Sequence, residues 1–249
     1  MKQITAEELT LFTSFRVTSA DSDLKARLRL GGLVNMLIQS AIQSADALGF
    51  GFGGLRREKL FWVLSRMSIE IHRSLSWNQE VIVETWPKDI DGLLYLRDYI
   101  VRDKQQNLVA KSTSGWLAID IDTKRPKVIE GIQAEMLNYL RAKHALESLP
   151  EKLPGMTEGE EFEIASAYSD IDLNGHVTST RYIDWMLDTL PIEFLQGHYP
   201  KQLSINYMKE TMPAERIRIK SHLSGDNQAF FEGINLNKGT TAFRGKIGF

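Results

Sequence analysis

Residues 69–85 read IEIHRSLSWNQEVIVET and align without a gap on residues 205–221, which read INYMKETMPAERIRIKS, at an offset of 136 residues. Few aligned positions are identical, but the order of the elements around both stretches also repeats. Each half has the pattern of one helix followed by about four antiparallel strands. The sequence therefore predicts an α+β chain of two similar units, each with an antiparallel sheet wrapped around one long helix.

The first unit carries one helix signal and several strand signals. Apolar residues recur at helical spacing over residues 33–48, and few charges interrupt them, so this helix is expected to be buried on most sides. The glycine-rich stretch at residues 49–54 is expected to end it. Runs of β-branched and aromatic residues predict strands at residues 61–72, 80–86, 93–102 and 109–121.

A charge-rich segment containing Pro150 and Pro154 separates the halves. We predict a first unit at residues 1–125, a linker at 126–160 and a second unit at 161–249. The linker is expected to hold a short helix at residues 132–146. In the second unit the patterns predict a helix at residues 180–190 and strands at residues 161–168, 203–209, 215–223, 229–236 and 240–249.

The composition is that of an ordinary globular chain, with 249 residues, 43% apolar residues and a net charge of −2. This balance gives no sign of nucleic-acid or membrane-surface binding. The chain has no cysteine, which excludes disulfides, a thiol nucleophile and a cysteine-ligated zinc site. The first residues lack the pattern of a signal or transit peptide, and no apolar run is long enough to span a membrane, so we expect a cytoplasmic protein.

A polar bend precedes the second helix, in the sequence SDIDLNGHV at residues 169–177. Asp172, Asn174 and His176 are spaced two apart, which puts them on one side of an extended segment, close to the free N–H groups of the helix. An acid, an amide, an imidazole and a helix N-terminus together suit acyl transfer. Two other interpretations stay open. Such residues also form ordinary bends, and the segment opens like a calcium loop, although Arg181 occupies the position where that loop needs glutamate.

An alignment of the two bends sharpens this hypothesis. With Ser22-Asp23 placed on Ser169-Asp170, the polar set falls opposite basic residues of the first half, and in the alignment of residues 69–85 on 205–221 Glu210 falls opposite Ser74. The set is then expected only in the second half, which favours a role beyond forming the bend. The residues opposite Asp172, Asn174 and His176 are Lys25, Arg27 and Arg29.

At these residues the chain resembles the acyl-acyl carrier protein thioesterases of plants and bacteria, over nearly its whole length. The resemblance depends on the order and spacing of many short pieces rather than on one motif. In the first half the matching pieces are Gly51-Phe52-Gly53, Trp62-Val63-Leu64-Ser65-Arg66-Met67, Trp77, Glu84-Thr85-Trp86, Arg97-Asp98-Tyr99, Ser112-Thr113-Ser114-Gly115-Trp116 and Asp122-Thr123-Lys124-Arg125. In the second half they are Asp172-x-Asn174-x-His176-Val177, Tyr182-Ile183-x-Trp185 and Ile205-x-Tyr207-x-Lys209-Glu210.

The resemblance implies a tandem, or double, hot-dog fold in which the first unit shapes an acyl pocket and the second carries catalysis. It implies that Asp172, Asn174, His176 and Glu210 are the catalytic residues, with no cofactor and no metal. Many relatives place cysteine directly after this glutamate, whereas this chain has Thr211. Since the other four residues are present, we expect catalysis that needs no thiol.

The expected reaction is hydrolysis of a fatty acyl thioester on acyl carrier protein, with Glu210 and His176 activating water and Asn174 holding the carbonyl. An acyl-coenzyme A thioesterase and a non-catalytic acyl-binding hot-dog protein stay open as alternatives. The expected partner is the acidic carrier protein, without nucleic acid or stable membrane insertion, for a monomer or a homodimer. Two basic clusters could receive the carrier or form a solvated face: Arg56, Arg57 and Lys59, and Lys124, Arg125 and Lys127.

Overall fold

The structure is a computed structural model that describes residues 5–129, 140 and 142–249. Its helices are α1 (Ala6–Leu9), α2 (Leu30–Ala47), α3 (Phe52–Arg57), α4 (Ser179–Asp188) and α5 (Ile192–Gly197), with 3₁₀ turns at Ser19–Asp21 and Tyr168–Asp170. Its strands are β1 (Leu11–Arg16), β2 (Leu60–Ile71), β3 (Glu80–Asp91), β4 (Leu94–Asp103), β5 (Leu108–Asp120), β6 (Glu160–Ala165), β7 (Gln202–Tyr207), β8 (Arg216–Leu223), β9 (Gln228–Asn235) and β10 (Thr240–Gly248).

The strands form one antiparallel sheet in the order β1-β3-β4-β5-β2-β7-β10-β9-β8-β6. Each half of the chain contributes five adjacent strands. The halves join where β2 pairs with β7, from Arg66 opposite Asn206 to Glu70 opposite Gln202. The predicted α+β architecture of two helix-and-sheet units is therefore confirmed, and the two sheets are continuous.

The two long helices lie against this sheet and against each other. Ten of the eighteen residues of α2 are buried, among them Leu33, Val34 and Leu37, because the helix contacts the sheet on one side and α4 on another. The close approach depends on Gly31, where a Cβ atom would lie 2.6 Å from the Asp184 carboxylate of α4. One apolar core runs through both halves as a result.

The structure adds the short helices α1 and α5, which the patterns did not indicate, and it differs from the sequence prediction in three further places. It adds an edge strand, β1, which the patterns did not indicate. It begins the short helix α3 at Phe52, within the glycine-rich stretch that was expected only to end α2, and continues that helix to Arg57. Of the helix predicted at residues 132–146, residues 132–139 and 141 lie outside the described residues, and residues 142–146 form a turn and bends rather than a helix.

The internal repeat is visible in the hydrogen bonds. The amide of Val17 donates to the carbonyl of Gln79 at 2.9 Å, and the amide of Ser166 donates to the carbonyl of Glu215 at 3.0 Å. Gln79 and Glu215 are 136 residues apart, which is the offset of the sequence alignment. The alignment of residues 69–85 on 205–221 is therefore confirmed by equivalent backbone contacts.

Candidate active site

The bend before α4 is closed by the Asp172 carboxylate. Its Oδ1 accepts hydrogen bonds from the amides of Asn174 at 2.8 Å and His176 at 3.3 Å, and its own amide donates to the His176 carbonyl at 2.8 Å. Gly175 has a φ of +80°, a left-handed conformation that suits glycine. These contacts fix the backbone on which Asn174 and His176 are carried.

The bend before α2 is built in the same way around Asp23. Oδ1 of Asp23 accepts from the amides of Lys25 and Arg27, both at 2.8 Å, and the Asp23 amide donates to the Arg27 carbonyl at 2.7 Å. Ala26 has a φ of +56°, as the equivalent of Gly175. The equivalent positions are thus Asp23 and Asp172, Lys25 and Asn174, and Arg27 and His176, at an offset of 149 residues.

The sequence alignment of the two bends, at an offset of 147 residues, is therefore wrong by two residues. It matched Ser22-Asp23 to Ser169-Asp170, whereas both bends contain Asp-x-Asp, at residues 21–23 and 170–172. The inference that the first half lacks the acid fails, since Asp23 does in one bend what Asp172 does in the other. Of the three polar residues of the bend, only Asn174 and His176 lack a similar residue at the equivalent position of the first half.

A backbone clamp joins this bend to the segment after β7. The amide of Val177 donates to the carbonyl of Thr211 at 2.9 Å, and the amide of Thr211 donates to the hydroxyl of Tyr182 at 3.2 Å. Val177 directly follows His176, and Thr211 directly follows Glu210. The clamp therefore holds the two candidate catalytic residues on neighbouring segments. β7 ends at Tyr207, so Glu210 lies in irregular chain beyond this strand.

The four predicted catalytic residues face solvent to different degrees. Asp172 and His176 are half-buried, and Asn174 and Glu210 are exposed. Within the described part of the chain, the His176 imidazole and the Glu210 carboxylate form no hydrogen bonds. Both groups are therefore open to a substrate or a water molecule, and their catalytic roles stay predictions.

Thr211 differs from its neighbour in being fully buried. Its hydroxyl has no hydrogen-bonding partner among the residues that the structure describes. Glu210 is exposed whereas Thr211 is buried, so the Thr211 side chain points into the core while that of Glu210 points outward. A side chain at this position is therefore poorly placed to act as a nucleophile on a substrate beside Glu210.

Tyr182 is a component of this region that the sequence analysis did not single out for a role. It is 4% exposed, and burial raises the pKa of its hydroxyl. Hydrogen bonding to Thr211 lowers this pKa, whereas the charges of Glu210 and Glu215 raise it. The phenol is therefore protonated at neutral pH. Its place in the motif Tyr182-Ile183-x-Trp185 was the available signal.

An apolar cleft opens in the first unit, between α2 and the sheet. Trp62 stands in its wall, where its indole donates to the Phe50 carbonyl at 2.9 Å and its ring contacts the edge of Tyr95 at 5.0 Å. The lining residues are Ala41, Ile42, Ala45, Phe50, Trp62, Pro87, Asp89, Tyr95, Leu96, Arg97 and Trp116. Most of these are apolar or aromatic, as a site for an acyl chain requires.

The pairing of β2 with β7 relates this cleft to the bend. The last pair is Arg66 opposite Asn206, and the strands run antiparallel. The path from Arg66 toward the start of β2 therefore runs in the same direction as the path from Asn206 past the end of β7. Trp62 in the cleft wall and Glu210 each lie four residues beyond this pair. The β2 wall of the cleft and the candidate catalytic segment therefore extend from the same end of the β2–β7 pairing.

The structure also bears on metals and membranes. Among the described residues, no group of three or more His, Cys, Asp or Glu side chains could hold a metal ion. None of the helices in the described ranges is long and apolar enough to cross a membrane.

Comparison with protein families agrees with the resemblance seen in the sequence. Residues 8–136 match the model of the acyl-ACP thioesterase N-terminal domain, and residues 155–249 match that of the C-terminal domain. The chain belongs to the acyl-ACP thioesterase family. This membership confirms the predicted family.

Relatives and solved structures of acyl-ACP thioesterases extend the comparison. Oleoyl-acyl carrier protein thioesterase 1 of Arabidopsis thaliana is 25% identical over 98% of this chain and 78% of its own length. The oleoyl enzyme of Coriandrum sativum is 27% identical over 83% of this chain, which spans 61% of that relative's length. An acyl-ACP thioesterase structure from Bacteroides thetaiotaomicron is 27% identical, with a TM-score of 0.84 over 98% of both chains. The 12:0-ACP thioesterase structure from Umbellularia californica, 20% identical over 96% of both chains with a TM-score of 0.83, supports the same fold, so the double hot-dog prediction is confirmed.

Proposed function

We propose that this member of the acyl-ACP thioesterase family hydrolyses the thioester of a fatty acyl chain on acyl carrier protein and releases the free fatty acid. The observation that carries the proposal is the clamp between Val177 and Thr211, which holds His176 and Glu210 on neighbouring segments. The β2 wall of the cleft and the segment that carries Glu210 extend from the same end of the β2–β7 pairing, which supports the proposal. The relatives named above, which are acyl carrier protein thioesterases, support the same substrate class.

In the proposed mechanism, Glu210, assisted by His176, takes a proton from a water molecule. The resulting hydroxide attacks the thioester carbonyl carbon, and the carbonyl oxygen gains the negative charge. When the tetrahedral intermediate collapses, the bond from carbon to sulfur breaks. The proton taken up by Glu210 passes to His176, and His176 donates it to the departing thiolate, so that the products are a fatty acid and the free thiol of the carrier.

The negative charge on the carbonyl oxygen requires hydrogen-bond donors. Asn174 offers its side-chain amide, and it is exposed at the start of this site. The first amides of α4 offer further donors, since Thr178 at the start of that helix makes no capping hydrogen bond with its side chain. One well-placed donor of this kind contributes about 3–4 kcal/mol to lowering the barrier.

The role of Asp172 follows from both bends. In the first bend, Oδ2 of Asp23 accepts from Nε of Arg27 at 2.8 Å, and Arg27 is the equivalent of His176. A carboxylate in this place can therefore reach the side chain four residues on. We assign Asp172 the tasks of holding the bend and stabilising the protonated imidazole of His176.

The test compares turnover of acyl carrier protein substrates by Glu210→Gln, His176→Ala and Lys209→Ala. The first two changes should each lower kcat about 100-fold, as expected when a general base is lost. Lys209 is exposed and adjacent to Glu210, so its replacement should leave kcat unchanged. Near-normal turnover by both catalytic variants contradicts the assignment. Faster hydrolysis of acyl-coenzyme A favours that thioester instead, and acyl binding without turnover indicates a non-catalytic protein.

A further inference from the structure

A basic surface adjoins the acyl cleft. We call it the α3 surface, because it includes residues of α3. It contains more basic than acidic residues. All of these side chains are exposed except that of Asp120, which is half-buried. The surface carries a net charge of +3, whereas the whole chain carries −2. Its basic members are Arg56, Arg57, Lys59, Lys124, Arg125 and Lys127, and the acidic residues among them are Glu58, Asp120 and Asp122.

Two segments that are distant in the sequence combine to form this surface. The carbonyl of Lys59 accepts from the amide of Ile121 at 2.9 Å, and Nζ of Lys59 pairs with Asp122 at 3.0 Å. The Lys124 ammonium lies 5.5 Å from the centre of the Phe61 ring. The basic clusters that the sequence presents as separate candidates are thus one continuous surface.

The helix α3 relates this surface to the cleft. Leu55, on its inner side, is 2% exposed and belongs to a small core with Tyr95, against which the cleft residues Phe50 and Trp62 also pack. Arg56 and Arg57 follow directly and are exposed. The basic side chains therefore lie on the outer side of a helix whose inner side packs against the wall of the cleft.

The internal repeat relates α3 to the catalytic bend. In the second unit, α5 occupies the place of α3, between the long helix and the first strand that follows it. Arg27 of the first bend donates to the carbonyl of Leu195 in α5 at 3.0 Å, and Tyr199 after α5 donates to the carbonyl of Leu28 at 2.7 Å. By the same repeat, we expect α3 to lie beside the second bend, where His176 replaces Arg27.

We propose that the α3 surface is the dock for acyl carrier protein, which would deliver its acyl chain past His176 into the cleft. This inference rests on the proposed function and names the surface of that site which recognises an acidic partner. Arg56 stacks on the Phe52 ring at 4.7 Å, and Arg57 donates to the Gly53 carbonyl at 3.3 Å. Neither forms an ion pair within the part of the chain described, so both are free to pair with carboxylates of the carrier.

The test uses a double variant of the α3 surface, in which Arg56 and Arg57 are both replaced by glutamate. The control is a second double variant, in which Lys104 and Lys201 are both replaced by glutamate. Lys104 begins the turn before β5 and Lys201 directly precedes β7, so both lie at the opposite end of the sheet from the α3 surface. Each variant changes the net charge equally. Each is measured with the same acyl chain on the carrier protein and on N-acetylcysteamine, a small neutral thiol, at low and high salt.

We expect the α3 variant to raise KM for the carrier substrate about tenfold, with kcat unchanged and with the small thioester hydrolysed normally. Raised salt should increase the KM of the wild-type protein for the carrier and have less effect on the variant. An unchanged KM in the α3 variant, or an equal rise of KM in the control variant, contradicts the proposal that this surface is the dock. If the wild-type protein hydrolyses only the small thioester, the dock fails while the hydrolase stands. If neither substrate is hydrolysed, both proposals fail.

Discussion

The backbone amide of Val177 donates to the carbonyl oxygen of Thr211 at 2.9 Å, so the residues that precede them, His176 and Glu210, are carried on segments bonded to each other. The contact uses main-chain atoms only. Replacing the imidazole or the carboxylate should therefore leave the clamp intact, and the loss of activity expected for such variants should come without unfolding. Thermal unfolding of the variants checks this directly.

Tyr182 should act as a positioning residue for Glu210, because its hydroxyl accepts from the amide that joins Glu210 to Thr211. We expect Tyr182→Phe to lower kcat about tenfold with KM unchanged, since small displacements of a catalytic group are costly. Tyr199→Phe is the matched control, because that buried hydroxyl donates to Leu28 at the first bend. Both variants should lose stability, of order 1–3 kcal/mol, for an unsatisfied backbone group. Equal kcat in the two variants would remove the positioning role.

The paired aspartates separate bend formation from chemistry. Asparagine keeps the Oδ1 acceptor, so Asp172→Asn and Asp23→Asn should both retain their bends, with the larger fall in Tm for Asp23→Asn because it also loses the ion pair with Arg27. Only Asp172→Asn should lower kcat, by about tenfold or more, because only Asp172 stands beside His176. Steady-state kinetics and thermal unfolding of the two variants provide the comparison. Full activity in Asp172→Asn would reduce Asp172 to a bend former.

Ala45 should limit the length of the acyl chain that the cleft accepts. It lines the cleft from α2 and is 8% exposed. Ala45→Leu should fill part of the cleft and shift the preference toward shorter chains, measured as relative kcat/KM over a series of acyl carrier proteins. Ala47 lies on the exposed face of the same helix, so the control variant Ala47→Leu should leave the chain-length preference unchanged. The same profile in both variants would place the acyl chain elsewhere.

Gly175 should matter for its backbone conformation rather than for space. A Cβ atom there would meet nothing within 4 Å, but φ is +80°. Gly175→Ala should cost about 1 kcal/mol or more of unfolding free energy. Gly197 in α5 also has open space and lacks a positive φ, so Gly197→Ala should be neutral or stabilising. Chemical denaturation of both variants measures the difference, and equal stabilities would contradict the strain at Gly175.

The sequence predicts best those elements whose signal is local and repeated. Val81 and Val83 alternate with half-exposed residues, and both are buried in β3 as expected. The apolar stripe of α2 likewise places Val34 and Ala41 in the interior. In both elements one face packs against the core and the other faces away, so the spacing of apolar residues alone predicts which side chains are buried.

The sequence fails where the signal is weak or depends on partners. β1 is an edge strand with alternate residues exposed and none buried, so its pattern lacks an apolar face. The two bends were aligned by matching letters, whereas their equivalence lies in the hydrogen bonds of Asp23 and Asp172. The clamp between Val177 and Thr211 joins segments 34 residues apart, a contact that no local pattern encodes.

The pairing of β2 with β7 has a consequence for how this chain can change. Cutting the chain between its halves would leave each fragment with an unpaired edge strand. The edge would carry Met67 and Ile69 in one fragment and Ile205 in the other, and such edges favour aggregation. A shift of one residue along the seam would turn every side chain of the strand to the opposite face. The seam thus joins the proposed acyl cleft of the first unit to the candidate catalytic bend of the second, and hybrids between relatives should work only where they preserve this register.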